Sequence, residues 1–429
     1  MGVLLKNGLV VTQNKKRQIQ RLSILVEGNR ITRIAKDIEE KAEFVIDCSN
    51  KLVMPGLSNT HGHLAMTLFR GYGDDMVLGE WLSKKIWPAE AKLTGDDVYW
   101  GSLFACLEMT KSGTTSCADM YFFMERSAEA VSKSGMRGLL CHGMIDLGDS
   151  EKADKELNAS VSFISDWHGK GDGRISCSLG PHSIYTCSKD LLEKTVVLSK
   201  KKNLKVQLHL AETRKELNDS KKNFGKGPVE YAESLGLLMP NTVLAHCGWL
   251  SMSEIRTVAK KGAYVSHNPE SNLKLASGIA PVSEMIGEGV SVSLGTDGAA
   301  SNNSLSLFSS MKTCALIHKA NRWDATVVNA QQTLDMATIN GAKALGFDSG
   351  SLEEGKLADI ITLDLNSPSL NPQHNLISNL VYSENGSSVR DVIIDGKIVM
   401  QNRKMLVFDE KFVIEKARKT AGDLVSRTV

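Results

Sequence analysis

The sequence predicts an α/β fold, a (β/α)₈ TIM-like barrel with a small β-sandwich domain that both termini form. Three observations support this prediction. Short β patterns fill the first 55 residues and return after residue 354. Between them, eight apolar runs of strand length alternate with amphipathic helical segments. No Gly-x-Gly-x-x-Gly turn follows an early strand, so the pattern does not favour a dinucleotide-binding fold.

The terminal β patterns are short and are broken by Gly, Asn and charged residues. The N-terminal set reads GLVVT, LSILVEG, RITRIA and FVIDC, and the C-terminal set reads DIITLDL and VRDVIIDGKIVM. Runs of this kind indicate strands. A charged helix is expected to close the chain from about Asp409. We therefore assign residues 1–55 and 355–429 to the β-sandwich domain and residues 56–354 to the barrel.

The central runs are almost continuously apolar, and helical segments separate them. This alternation indicates a parallel sheet that helices cover on its faces. An open, doubly wound sheet is the structural alternative. Eight units over roughly 300 residues favour a closed barrel. The predicted strands are residues 56–60, 114–118, 138–143, 175–180, 206–210, 243–247, 264–267 and 290–295.

The composition is that of an ordinary globular protein, with 42% hydrophobic and 23% charged residues. A net charge of +2 provides no field that would attract nucleic acid or a membrane surface. The eight cysteines form no Cys-x-x-Cys pair, which indicates free thiols in a reducing compartment. The N-terminal MGVLLKNGLVVTQ lacks the long apolar region of a signal peptide, so a cytoplasmic location is expected.

Polar side chains stand at the ends of most of the predicted strands. Because residues i and i+2 of a strand point to the same side, His61 and His63 are expected to aim two imidazoles at one point. A lone histidine on an apolar strand is ordinarily a core residue. A full set at matching strand ends is hard to explain as packing, because each buried group needs a partner. The set comprises His61, His63, His182, His209, Glu212, His246, His267 and Asp297.

These residues lie in stretches that resemble the amidohydrolase superfamily. PGLSNTHGH, the single histidine of the fifth run, AHC and GTDG carry the resemblance through their order and spacing. Within the superfamily, the chain is most similar to the methylthioadenosine/S-adenosylhomocysteine deaminase group and its 5′-deoxyadenosine deaminase relatives. The supporting stretches are EWLSKKIWPAEAKLT, GPHSIYTCS, SHNPESNLKLASGIAPV and LGTDGAASNNSLSLF. The resemblance spans the whole chain and implies hydrolytic deamination of the adenine ring in 5′-modified adenosines.

The resemblance assigns the metal ligands to His61, His63, His209 and Asp297. Three imidazoles and a carboxylate with an open position for water suit one catalytic Zn²⁺ per subunit, and Fe²⁺ or Mn²⁺ are the alternatives. Superfamily members with two metals usually bridge them through a carboxylated lysine on the fourth strand. The fourth run here, ISCSLGPHS, contains no lysine, which favours a single metal.

The resemblance also implies the catalytic roles. Strand alternation puts His209 and Glu212 on opposite faces, so the following loop must turn Glu212 inward. Glu212 is then the general acid/base that protonates N1 of adenine. Asp297, both ligand and base, takes the proton of the attacking water, and His246 stabilises the charge that develops at C6.

Other matching residues are expected to bind the nucleoside. His182 resembles a contact to the base and Glu90 a contact to the ribose hydroxyls. Glu212 and Asp297 also touch the substrate in this interpretation. Trp81 packs either on the substrate or in the core. His267 has no matching role and is interpreted as structural.

The 5′ substituent is where the chain departs from the group. Relatives that handle S-adenosylhomocysteine well present arginines to its carboxylate, whereas His142 takes the first of those places and residues 138–173 contain no arginine. Lys152 or Lys155 lack the planar fork that suits a carboxylate. The expected order of preference is therefore 5′-deoxyadenosine, then methylthioadenosine and adenosine, with S-adenosylhomocysteine accepted but not preferred.

Two competing interpretations remain open at this point. One is another amidohydrolase-type deaminase or aryl hydrolase, acting on guanine, cytosine or a triazine. The other is a non-catalytic scaffold protein, whose relatives lose metal ligands. The expected partner is a small-molecule nucleoside rather than nucleic acid or a membrane. The chain is also expected to form a homo-oligomer, as its relatives tend to do.

Overall fold

The computed structural model describes residues 2–428, and strands from both ends of the chain share one sheet. These strands are β1 (Gly2–Val11), β2 (Ile19–Glu27), β3 (Arg30–Ala35), β4 (Phe44–Asp47), β5 (Lys51–Pro55), β15 (Ile360–Asp364), β16 (Val389–Ile394), β17 (Lys397–Gln401) and β18 (Lys404–Met405). Their order is β18-β17-β16-β15-β5-β1-β2-β3, with β4 beside β1.

The sheet divides at β1. The first half of β1 pairs with β4 and the second half with β5, and an irregularity in its pairing with β2 lies between Leu5 and Gly8. The antiparallel pair of β5 and β15 joins the two ends of the chain. Buried side chains such as Ile24, Ile31 and Ile393 form a hydrophobic cluster here, apart from the main core. Both termini therefore build a β-rich domain with its own core, as the sequence predicted.

Each of the eight predicted barrel strands is present. The fourth run is divided into two short strands, β9 and β10. The barrel strands are β6 (Leu57–Asn59), β7 (Thr114–Tyr121), β8 (Arg137–Met144), β9 (Ile175–Cys177), β10 (Gly180–Pro181), β11 (Val206–Leu210), β12 (Thr242–His246), β13 (Tyr264–His267) and β14 (Ser291–Leu294).

The barrel strands are parallel and close on themselves. One group runs β10-β8-β7-β6 with β9 beside β8, and the other runs β11-β12-β13-β14. Bridges from Leu179 to Val206 and from Ser183 to His209 join the two groups on one side. On the other side, Thr60 donates its backbone N–H to the carbonyl of Leu294 at 3.0 Å. The predicted (β/α)₈ barrel is thus confirmed.

Helices follow the barrel strands and cover the outside of the barrel. Short 3₁₀ turns occupy Leu64–Phe69 and Pro368–Leu370, and a π-helical turn occupies Leu82–Ile86. No helix within residues 2–428 is long and apolar enough to cross a membrane. The α-helices are α1 (Leu78–Trp81), α2 (Trp87–Glu90), α3 (Gly95–Lys111), α4 (Met124–Ser134), α5 (Ser150–Trp167), α6 (Lys189–Lys202), α7 (Arg214–Phe224), α8 (Pro228–Ser234), α9 (Met252–Lys261), α10 (Pro269–Lys274), α11 (Val282–Gly287), α12 (Ala299–Asn302), α13 (Leu307–Arg322), α14 (Ala330–Ala337), α15 (Ile339–Leu345), α16 (Leu376–Tyr382) and α17 (Glu410–Ser426).

The expected C-terminal helix is α17. Asp409 caps it by accepting the backbone N–H groups of Lys411 and Phe412. The helix packs on α3 of the barrel, and Arg427 pairs with Asp97 there at 2.7 Å. We propose the sequence-based domain limits, 1–55 with 355–429 and 56–354, because β5 ends at Pro55 and β15 begins at Ile360.

Candidate active site

The four predicted metal ligands converge at the carboxyl ends of the barrel strands. Oδ1 of Asp297 lies 3.2 Å from Nε2 of His63 and 3.5 Å from Nε2 of His61. Nε2 of His63 lies 3.4 Å from Nε2 of His209. Three strand ends far apart in the sequence therefore direct three imidazole nitrogens and one carboxylate oxygen at a common point.

The convergence of His61 and His63 has a different cause from the one predicted. β6 ends at Asn59, so strand alternation does not orient the pair. Instead, backbone hydrogen bonds hold the turn on both sides. Asp297 donates its N–H to the carbonyl of His61 at 3.0 Å, and Met120 donates to the carbonyl of Gly62 at 3.2 Å. The neighbouring strands β14 and β7 thus fix the two rings.

Hydrogen bonds on the far side of two rings set their tautomers. Nδ1 of His63 donates to the carbonyl of Met120 at 2.6 Å, and Nδ1 of His209 donates to the carbonyl of His182 at 2.7 Å. Because a carbonyl only accepts, Nδ1 of each ring carries a hydrogen, so Nε2 is the atom that offers an inward lone pair once its proton has left. Nε2 of His61 is buried without a hydrogen-bond partner. Inward lone pairs with outer hydrogen bonds are the arrangement of metal-binding histidines, so these residues fit a divalent metal.

The charges at this point also favour a cation. Burial raises the pKa of Asp297, but its interactions with His61 and His63 outweigh that effect and hold the pKa well below its ordinary value. Burial lowers the pKa of His63, but Asp297 outweighs that effect and raises it to about 9. Burial lowers the pKa of His209 well below its ordinary value. With its raised pKa, His63 holds a proton beside the ionised carboxylate of Asp297, and a metal bound at this point would displace that proton.

The second carboxylate oxygen of Asp297 is held by two serines that the sequence reasoning missed. Ser271 donates to Oδ2 at 2.6 Å and Ser301 at 3.1 Å, while the N–H of Gly298 donates to Oδ1 at 2.8 Å. Asp297 itself has a φ of 61°, a left-handed conformation that is uncommon for a residue with a side chain. The three hydrogen bonds therefore help to hold Asp297 in this backbone conformation, with its carboxylate directed at the histidines. Ser271 lies in SHNPESN and Ser301 in TDGAASNN. Both stretches resemble the family, but the sequence analysis gave neither serine a role.

Glu212 and His246 face each other beside the ligand set. Nε2 of His246 lies 4.0 Å from Oε2 of Glu212, and both side chains are buried. Burial raises the pKa of Glu212, which suits a carboxyl that must deliver a proton. Nδ1 of His246 donates to Oδ1 of Asn272 at 2.8 Å, which leaves Nε2 directed at the site. The sequence reasoning gave Asn272 no role.

A cavity of about 490 Å³ opens above these groups. Its lining contains the predicted substrate contacts Trp81, Glu90 and His182 together with Glu212 and His246. The cavity is large enough for a nucleoside. The structure therefore brings every predicted substrate contact to one place.

The side chains of Glu90 and His182 are held by neighbours. The hydroxyl of Tyr121 donates to Oε1 of Glu90 at 2.7 Å, and burial raises the pKa of Glu90 to about 6. Nδ1 of His182 lies 2.9 Å from the hydroxyl of Thr186, and burial lowers the pKa of His182 to about 3. His182 is thus a neutral imidazole, which both donates and accepts hydrogen bonds.

His142 does not take the place of the missing arginines. Its Nε2 lies 2.7 Å from Oε2 of Glu156 on α5, and it does not line the cavity. Lys152 does not line the cavity either. The residues that line it within the described chain include no lysine or arginine, and much of its lining is apolar. Apolar lining residues include Leu78, Trp81, Ile86, Phe122, Ile145 and Leu147.

A second group of donor atoms lies apart from this cavity. His267, Cys314 and His318 are buried with their donor atoms within 4.8 Å of one another. The two imidazoles face each other through Nε2 atoms at 3.1 Å, the separation of a hydrogen bond. Burial raises the pKa of the Cys314 thiol to about 12, so it stays protonated at neutral pH. The contact between the imidazoles agrees with the structural interpretation of His267.

The chain resembles known proteins over nearly its full length. Residues 52–399 match the amidohydrolase family. A relative from Methanosarcina acetivorans named 5′-deoxyadenosine deaminase is 48% identical over 426 residues, 99% of each chain. A relative from Dictyoglomus turgidum named 5-methylthioadenosine/S-adenosylhomocysteine deaminase is 46% identical over 407 residues, 94% of this chain and 95% of the relative.

A solved structure is also similar throughout. It is described as an adenosine deaminase from Xanthomonas campestris with bound zinc, and it superposes with a TM-score of 0.95 at 33% identity. The match covers 100% of this chain and 99% of the other. The family match, the relatives and the similar structure agree with the barrel fold and with the histidines and aspartate at its strand ends. The chain belongs to the amidohydrolase family.

Proposed function

We propose that this chain is a metal-dependent deaminase that hydrolyses the C6 amino group of 5′-modified adenosines to give inosine-type products and ammonia. The observation that carries the proposal is the convergence of His61, His63, His209 and Asp297 beneath a cavity that Glu212 and His246 also line. The names of the relatives, which include adenosine-type deaminases at 46 to 48% identity, support the same reaction.

One Zn²⁺ per subunit is the metal that this donor set suits best, and Fe²⁺ or Mn²⁺ accept the same kinds of ligand. The described residues of β9 and β10 include no lysine that would bridge a second ion. When bound, the metal supplies a water whose pKa falls from 15.7 to about 7. The fit of the site rests on the unpartnered Nε2 of His61 and on the inward lone pairs of His63 and His209.

The side chains divide the proton transfers between them. Asp297 accepts a proton from the attacking water, and Glu212 donates a proton to N1 so that C6 accepts the oxygen. His246, oriented by Asn272, stabilises the charge that develops as the oxygen adds. The C6–N bond then breaks and ammonia leaves with one water proton, while the second water proton restores Glu212. Each positioned proton transfer contributes roughly 10²–10⁴-fold to the rate.

The remaining contacts hold the nucleoside. His182 binds the base through its neutral imidazole, and Glu90 accepts the ribose hydroxyls through the carboxylate that Tyr121 orients. Trp81, which is 5% exposed and lines the cavity, packs on the substrate. With these roles, the purine would lie over the metal ligands and the 5′ carbon would face apolar residues of the lining.

The apolar lining of the cavity favours a small neutral 5′ group. A charged carboxylate there would lose water without gaining the charged partner that offsets this cost. Since His142 pairs with Glu156, the residue at the first of the arginine positions is already engaged. The expected order remains 5′-deoxyadenosine, then methylthioadenosine and adenosine, and S-adenosylhomocysteine last.

The test is ammonia release from these four nucleosides, measured as kcat/KM under one set of conditions. Guanine, cytosine and a triazine are assayed alongside them, because they are the substrates of the competing hydrolase interpretation. We expect 5′-deoxyadenosine to give the largest value and the three non-nucleosides to give none. A clear preference for S-adenosylhomocysteine would contradict the role of the apolar cavity. Turnover of guanine or a triazine alone would contradict the proposed reaction.

A further inference from the structure

Glu216 lies four residues beyond Glu212 and is 5% exposed, and its side chain neither belongs to the predicted metal ligands nor lines the cavity above them. Its two carboxylate oxygens accept consecutive backbone N–H groups. Oε1 accepts the N–H of Ala211 at 2.9 Å, and Oε2 accepts the N–H of Glu212 at 2.9 Å. Burial raises the pKa of Glu216 to about 7, while these two N–H groups favour its ionised form, with which they form strong hydrogen bonds.

This contact departs from the usual role of glutamate at its helix position. Thr213 caps α7, and Glu216 is the third residue of that helix. In a capping box, a glutamate at this position returns to the N–H of the capping residue. Glu254 does so in α9, where it accepts the N–H of Ser251 at 2.9 Å. In α7 the carboxylate reaches past Thr213 to the two residues before it.

Those two residues form the turn that directs Glu212 into the site. Strand alternation from His209 would send Glu212 away from the cavity. Ala211 has a φ of 53°, a left-handed conformation that is unfavourable for a residue with a side chain, and this turn reverses the alternation. The N–H of Trp249 donates to the carbonyl of Ala211 at 3.1 Å on the opposite side of the peptide. Glu216 and the loop after β12 together stabilise the left-handed conformation of Ala211, which is unfavourable without these contacts.

We propose that Glu216 is a positioning residue that acts through Glu212, by fixing the Ala211–Glu212 turn so that the Glu212 carboxyl faces N1 of adenine. The inference rests on the proposed function, because it assumes that Glu212 delivers a proton. Glu216 itself makes no contact with substrate in this scheme. Its loss therefore misplaces the acid without removing it.

The primary test is Glu216→Gln. The amide nitrogen of glutamine cannot accept a hydrogen bond, so one of the two N–H groups would face another donor. We expect kcat to fall on the order of 10–100-fold, since displacement of a reacting group by about 1 Å has effects of this size. We expect metal content and KM to stay within about threefold, because neither ligands nor substrate contacts change.

Glu254→Gln is the matched control. Glu254 has the same helix position and a similar exposure of 8%, but it holds no catalytic turn. Its substitution should lower the thermal midpoint and leave kcat within about twofold, because the loss of a helix cap that holds no catalytic group lowers stability alone. An equal fall in kcat for both variants would show that the loss of a buried cap, and not the position of Glu212, lowers the rate.

A double variant separates positioning from a general structural role. In the Glu212→Gln background, Glu216→Gln should cost less than about twofold in residual kcat, because its action passes through a group already removed. An undiminished cost there would overturn the proposal. Glu216→Asp, which keeps the charge but is one methylene shorter, provides a second variant should Glu216→Gln not fold, and the same fall in kcat is expected.

A crystal structure of Glu216→Gln tests the positioning of Glu212 independently of the proposed reaction. If the parent protein releases no ammonia from any adenosine, the proposed function fails, and the position of Glu212 in the variant still decides the inference. We expect the Glu212 carboxyl to lie farther from Nε2 of His246 than the 4.0 Å of the parent. An unmoved Glu212 would overturn the inference whatever the reaction is.

Discussion

Glu212 carries the most specific prediction at the scale of single residues. Glu212→Gln keeps the shape of the side chain but removes the transferable proton. We expect the variant to retain its metal and most of its substrate affinity and to lose on the order of 10² or more in kcat. Steady-state kinetics with metal analysis on the same sample provide the measurement.

Glu254→Gln again serves as the control, because Glu254 and Glu212 are both 8% exposed. We expect the control to keep its full kcat. A Glu212→Gln variant with near-normal kcat would rule out proton delivery by this carboxyl. A variant that loses its metal would show that Glu212 contributes to the ligand set.

Several residues of the candidate site could be anticipated from the sequence, and others could not. The convergence of the four proposed metal ligands was predictable because each lies at the end of an apolar run within a stretch typical of the family. Ser271, Ser301, Asn272 and Glu216 act through side-chain hydrogen bonds between elements, and no spacing rule gives such contacts. The pairing of His142 could not be anticipated either, since only the structure shows that its ring turns toward Glu156.

At the scale of elements, close packing behind β14 supports the ligand set. A Cβ at Gly295 would lie 2.6 Å from the hydroxyl of Ser266 and 2.9 Å from Cβ of His61. Such distances do not occur in relaxed structures, so Gly295→Ala must displace its neighbours, which include Asn268, and we expect His61 to shift with them. We expect zinc affinity to fall on the order of 10–100-fold, the range for loss of a group that supports a metal ligand.

Competition with a chelator measures this affinity. Gly287→Ala is the control, because Gly287 ends α11 with no atom within 4 Å of an added Cβ. The control should bind zinc as the parent does. Equal zinc affinity in all three proteins would show that His61 tolerates the displacement and that its position does not depend on Gly295.

The elements themselves were largely predictable, because a buried parallel strand has a continuous apolar pattern. The division of the fourth run into β9 and β10 was not, since the apolar pattern continues through Leu179, whereas β9 and β10 both pair with β8 and Leu179 between them bridges to Val206. The turn that carries His61 and His63 was also misjudged as a strand end. Hydrogen bonds from Asp297 and Met120, which are remote in sequence, determine it.

At the scale of the whole molecule, a buried ion pair joins the barrel to the β-rich domain. Arg137 begins β8 and donates to Asp359 at 2.6 Å and to Asp395 at 2.7 Å, with all three side chains buried. Arg137→Met would leave two buried carboxylates without this partner. We expect the free energy of unfolding to fall by about 3–5 kcal/mol, the usual cost of breaking a buried pair from one side.

Denaturant unfolding measures this loss, and Arg126→Met is the control. Arg126 pairs with Asp96 and Glu129, whose side chains are 81% and 41% exposed. Its loss should cost about 0–1 kcal/mol. The kcat of both variants at 25 °C should match the parent, because Arg137 lies at the opposite end of the barrel from the site. Equal stability of the two variants would contradict the role of the buried pair.

The central claim is that one metal, held by His61, His63, His209 and Asp297, enables adenine deamination. The most direct measurement is ammonia release from 5′-deoxyadenosine as Zn²⁺ is titrated into protein stripped of metal. We predict no release without metal, a linear rise, and a plateau at one equivalent per chain, with the ion about 2.0–2.2 Å from its ligands. Full activity in metal-free protein, or a plateau only at two equivalents, would contradict the account.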